Sequence, residues 1–73
     1  MNEPADAVLQ VLIEAGEPLH WTVVQDRALR TGRIDPFTTP DVRGAVLGAL
    51  RGLVADGRAV KVGTGIYEAA RVG

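Results

Sequence analysis

The stretch Thr39–Gly57, TPDVRGAVLGALRGLVADG, decides the reading of this 73-residue chain. Thr39 can cap a helix, because its hydroxyl oxygen accepts from a free backbone N–H in the first turn. Pro40 suits the first helical position, where an N–H would have no partner anyway. Gly57 supplies the left-handed residue that stops the helix. These signals predict a helix over residues 40–56. Val42, Ala45, Val46, Ala49, Leu50, Leu53 and Val54 recur at the spacing of one buried face. The other face carries Gly44, Gly48 and Gly52, with Arg43, Leu47 and Arg51 beside them. A helical glycine costs about 1 kcal/mol against alanine, and a chain this short has about 4 to 11 kcal/mol of stability in all. A face so rich in glycine suits the close approach of another surface.

Upstream, Pro4–Ala15 reads as a first helix, with Val8, Leu9, Leu12 and Ile13 as its core stripe, Val11 and Ala15 widening it, and Gly16 as its stop. Pro18 forbids continued helix and holds Glu17 extended, so Leu19–Trp21 can add a minimal strand. A second helix is predicted over residues 21–31, with Val24 and Ala28 in the core, Val23 and Leu29 flanking, and Gly32 as its close. Arg33–Thr38 is a loop whose Asp35-Pro36 marks a turn, with Ile34 and Phe37 expected to anchor it inward. Beyond Gly57, residues 58–69 read as a hairpin: Arg58–Val62 alternates, Gly63-Thr64-Gly65 turns, and Ile66–Ala69 returns. Three helices and one hairpin in a single domain give an α+β winged helix, the hairpin being the wing.

Length and composition restrict the function. A domain this small lies near the lower limit for a core without staples, and no cysteine is present to make a disulfide or a zinc–thiolate site. No apolar run near the N-terminus is long enough for a signal peptide or a membrane span, which predicts a soluble cytoplasmic protein. Seven arginines against one lysine, with abundant Ala, Val and Gly, resemble the coding bias of GC-rich bacterial or phage genomes. The formal net charge is −1, yet it is unevenly spread. Residues 1–26 hold five acids and no Lys or Arg, while residues 27–61 hold seven bases against three acids, a net +4. Such an asymmetry can focus a polyanion on one side of the molecule.

Several segments resemble one winged-helix family, the HARE-HTH domains. They are Glu14–Trp21 between the first two helices, Ala28-Leu29 with Gly32 closing the second, Thr39-Pro40 opening the third, Leu50 in its core, and Val60–Tyr67 in the hairpin. HARE-HTH domains accompany restriction-type nucleases and chromatin regulators, and the bacterial RNA polymerase delta subunit has a related fold. The resemblance implies a winged helix with a DNA- or transcription-associated role. The chain departs from the family within the third helix, where three glycines stand in place of bulkier polar residues.

Catalysis is not expected. With no Ser, no Cys and a single histidine, the usual nucleophile–base triads cannot be built. His20 is read as a cap or strand residue, Trp21 as a core-edge residue, and no phosphate-loop or dinucleotide fingerprint is present. No metal, cofactor or small-molecule substrate is expected. For double-stranded DNA, the third helix offers Arg43 and Arg51 to guanine edges or phosphates and Leu47 to a thymine methyl. Lys61, Thr64 and Arg58 on the wing, and Arg27, Arg30 and Arg33 around the second helix, complete the candidate set. Thr38 and Thr39 can also hydrogen-bond a phosphate, although Asp41 would repel one there. Affinity from so few bases is expected to be modest and salt-dependent. The alternative is a protein interface, a homodimer or an adaptor surface, formed by Gly44, Gly48 and Gly52 with Leu47 and Ala55.

Overall fold

The structure, a computed structural model, describes residues 4–71. Its elements run α1 (Pro4–Ala15), β1 (Leu19–His20), α2 (Trp21–Arg30), α3 (Val42–Ala55), β2 (Ala59–Gly63) and β3 (Ile66–Ala69). The three strands form one antiparallel sheet in the order β1-β3-β2. This is the α+β arrangement of a winged helix, as the element order predicts.

The core forms where the apolar stripes of the three helices meet the sheet. Leu12, Leu50, Leu53, Val8, Val24 and Val46 are its largest fully buried side chains. Ala7 and Val11 fill α1's side, Ala28 fills α2's, and Leu19, Ala59 and Tyr67 close the core from the sheet. Two helical positions expected in the core stripes are outside it. Ile13 is 52% exposed, and Val54 is also exposed. Apolar residues occupy well over half of α1's circumference, and so small a domain has too little mass to cover more than one side of a helix.

Each helix end follows from local chemistry. His20 caps α2, its Nδ1 accepting from Thr22 N–H at 3.3 Å and lying 2.8 Å from the Thr22 hydroxyl. At the end of α3, Gly57 adopts φ +77°. Gly57 N–H then donates to Val54 C=O and Arg58 N–H to Leu53 C=O, the paired reverse bonds that glycine at this position permits.

The start of α3 differs from the expectation. The cap is Asp41, whose Oδ1 accepts from Gly44 N–H at 2.9 Å, so the helix begins at Val42 and Thr39 and Pro40 precede it. Thr39 belongs to the preceding turn, where its N–H, and that of Thr38, donate to Asp35 C=O. A carboxylate is also the better acceptor at the positive end of a helix. The same loop explains Phe37. Asp35 Oδ1 accepts from Phe37 N–H at 2.8 Å, and this turn holds the Phe37 ring outward, 96% exposed. Ile34 alone anchors the loop in the core. Asp41→Ala should therefore destabilise the protein by about 1 kcal/mol, read as a shifted urea midpoint with unchanged slope; Thr39→Ala should leave the midpoint in place.

The hairpin is short and bound along its length. β3 pairs with β2 on one side and β1 on the other, with Leu19 opposite Tyr67 and His20 opposite Ile66. The β2–β3 register shifts between Lys61 and Gly63, which leaves Val62 as a bulge. Because β1 pairs as far as Ile66, only the turn around Thr64 extends past the sheet.

Candidate nucleic-acid interface

The outward side of α3 is built by default: Val46, Ala49, Leu50 and Leu53 take the core, and what remains faces water. At 3.6 residues per turn, Arg51 lies about 140° around the helix from Val46, Leu47 about 100° and Arg43 about 60°. Arg43, Gly44, Gly48, Arg51, Gly52 and Ala55 are exposed, and Leu47 is half-buried rather than free. Arg51 therefore occupies the centre of this side and Arg43 its border.

The border residue has a partner. The Arg43 guanidinium carbon sits over the Trp21 ring, 5.3 Å from its centroid, a geometry attractive for a cation on an indole face. Trp21 is partly buried against the core, and its backbone N–H donates to Gly65 C=O at 2.9 Å. Gly65 has φ +71°, and a Cβ there would lie 3.1 Å from His20 Nε2 and 3.2 Å from Trp21 Cδ1. Only glycine fits this contact without movement. The wing turn, the start of α2 and the start of α3 thus meet at one indole.

The remaining bases divide in two. Arg30 pairs with Asp26 at 3.1 Å, Arg33 with Glu14 at 2.6 Å, and Arg58 with Asp56 at 3.1 Å. Arg27 and Arg30 line a shallow depression with Val11, Glu14 and Thr31, which gathers the α2 arginines beside α1. The Arg33 side chain is two-thirds covered and binds α1. Among the described residues Arg43, Arg51 and Lys61 have no carboxylate partner, nor do Arg27 and Arg71. Lys61 lies on β2 opposite Tyr67, and Thr64 is exposed in the turn.

The three glycines of α3 are not equivalent. A Cβ on Gly44 would collide with the Asp41 carboxylate in its capping position, its Cγ only 2.8 Å away, so the capping side chain would have to shift. A Cβ on Gly48 or Gly52 would meet nothing within 4 Å. The monomer has no steric need for either. Gly48→Ala and Gly52→Ala should each stabilise the protein by about 0.5–1 kcal/mol, raising the melting temperature by about 4–8 °C per kcal/mol. Gly44→Ala should not, because it trades helix propensity against the cap.

Exposed bases without a carboxylate partner are the polar groups this side offers. His20 is used as a cap, and among the described residues no group of three His, Cys, Asp or Glu side chains converges as a metal site. The Asp41 carboxylate occupies the N-terminus of α3, where it would repel a phosphate approaching Thr38 and Thr39. Sequence reasoning missed the Arg43–Trp21 contact, since nothing local relates positions 21 and 43. It also passed over Asp41, although an Asp directly before the first periodic apolar residue, Val42, is itself a capping signal. Among the described residues no helix is long and apolar enough to cross a membrane. No family model, curated protein or solved structure matches this chain.

Proposed function

We propose that this chain is a non-enzymatic winged-helix module of the cytoplasm that binds duplex DNA, in a transcription-associated role, through the outward side of α3 with Lys61 and Thr64 in support. The observation that carries this reading is the distribution of free charge. Arg43 and Arg51 of α3 and Lys61 of the wing strand are exposed with no carboxylate partner among the described residues, as are Arg27 and Arg71, while Arg30, Arg33 and Arg58 are each paired. The resemblance to HARE-HTH domains supports the same role. Lacking Asn and Gln, α3 has no bidentate reader of adenine, so backbone contacts dominate and sequence discrimination is weak. The short wing, tied to Trp21, adds only its turn to the footprint.

The test is a titration of labelled duplex at two salt concentrations. Three phosphate contacts predict a logarithmic salt slope of about −2.7, or about a fortyfold loss of affinity for a fourfold rise in salt. No binding at low salt, or binding indifferent to salt, overturns the reading.

A second reading uses the same side of α3 to dock a protein, either a second copy or a larger partner. It is favoured by Gly48 and Gly52, glycines with no steric cause within the monomer. Under this reading Gly48→Arg abolishes a dimer seen by sedimentation while the fold persists. A wild type that stays monomeric at high concentration removes the homodimer.

A further inference from the structure

We infer that Trp21 is the positioning residue of Arg43 and turns it toward a backbone phosphate rather than a base edge, an inference that rests on the DNA-binding reading above. Three observations converge on it. Arg43 stands at the border of α3's outward side, about 80° around the helix from the central Arg51. A helix laid in the major groove turns its centre to the base edges and its borders to the strands. The Arg43 guanidinium carbon sits over the indole at 5.3 Å, and this contact leaves the in-plane N–H groups free for a planar fork that matches two phosphate oxygens. Trp21 is itself held, by its backbone N–H bond to Gly65 C=O and by the close fit of Gly65. The His20 ring flanks it with centroids 5.8 Å apart. Arg43 is thus ordered before DNA arrives, and the bond to Gly65 couples it to the wing turn.

Trp21 is the only tryptophan, so its emission reports this contact directly. In the free protein, Arg43→Ala should red-shift the emission and increase acrylamide quenching, because the ring face becomes open to water. An unchanged spectrum overturns the contact. With DNA, affinities are compared on an A·T-only duplex and a G·C-rich duplex of equal length. Arg43→Ala should weaken both equally and reduce the salt slope by about 1. A loss confined to the G·C-rich duplex assigns Arg43 to a guanine edge and overturns the phosphate assignment. Trp21→Phe, which keeps an aromatic face, should retain affinity within about twofold. Trp21→Leu should lose about two- to fivefold, the range an exposed cation–π contact supports, and nothing further when Arg43 is already alanine. Equal losses for Phe and Leu, or an effect of Trp21→Leu that persists without Arg43, mean that Trp21 acts through the fold alone. Should Trp21→Leu fail to fold, the Trp21→Phe affinity and the emission of Arg43→Ala decide the matter. If the wild type binds no DNA, the DNA reading and the phosphate assignment fall together, while the emission experiment still reports the contact.

Discussion

Arg43→Ala combined with Arg51→Ala should lower duplex affinity about a hundredfold at low salt and leave the fold intact. Each arginine offers a charge-assisted contact worth about 1.5–3 kcal/mol, and a tenfold change corresponds to about 1.4 kcal/mol. The two differ in position, Arg51 central and Arg43 on the border, so neither replaces the other. The salt slope should fall together with the affinity, which distinguishes missing phosphate contacts from a damaged fold. Both side chains are exposed, and within the protein the double change removes the guanidinium that covers the Trp21 ring. Stability should therefore fall by no more than about 1 kcal/mol. Anisotropy titration with a thermal melt of the same samples reads both quantities. A double variant that binds as the wild type does would mean that α3 does not carry the interface.

Leu50→Ala should have the largest effect on stability. Leu50 is 0% exposed at the centre of the apolar cluster formed by α1, α2, α3 and the sheet. Truncating such a leucine costs about 2–5 kcal/mol, because the transfer energy of the deleted atoms is joined by a cavity that collapses only in part. The whole domain has about 4 to 11 kcal/mol. At about 4–8 °C per kcal/mol for a domain of this size, the melting temperature falls by tens of degrees. Ile13→Ala is the control: an apolar residue of similar size, but 52% exposed, whose truncation should cost about 1 kcal/mol or less. Equal losses at the two positions, measured by thermal or urea denaturation followed by circular dichroism, would contradict this placement of the core.

These two experiments test features of different origin. The core stripe of α3 is legible from the spacing of Val46, Ala49, Leu50 and Leu53, because a helical period carries the same residues to the same side wherever the helix sits. The stops at Gly16, Gly32 and Gly57 are legible for a similar reason, all three adopting the positive φ that glycine tolerates. Ile13 and Phe37 are not legible, since burial depends on what else reaches a position. For Ile13, no other element is large enough to cover that side of α1. For Phe37, the Asp35 turn directs the ring away from the core. Of the candidate DNA residues, the sequence marks Arg43 and Arg30 alike as bases on helices. The structure separates them by what lies within reach, an indole for one and Asp26 for the other.

Local chemistry in the sequence determined three helices, a hairpin, their order and so the winged-helix architecture. Capping, turns and helical periodicity act within a few residues of the chain, and their outcome hardly depends on the rest of the molecule. Only the tertiary structure decided which acceptor caps α3, which bases are neutralised, which of three similar glycines is required, and that the wing turn is tied to Trp21. Some of these are contacts between residues distant in sequence, such as Trp21 with Gly65 and Arg33 with Glu14; others are choices among nearby groups, such as Asp41 over Thr39 at the cap. Distance in space and the geometry of the competing groups settle such questions, and neither is written in the order of residues.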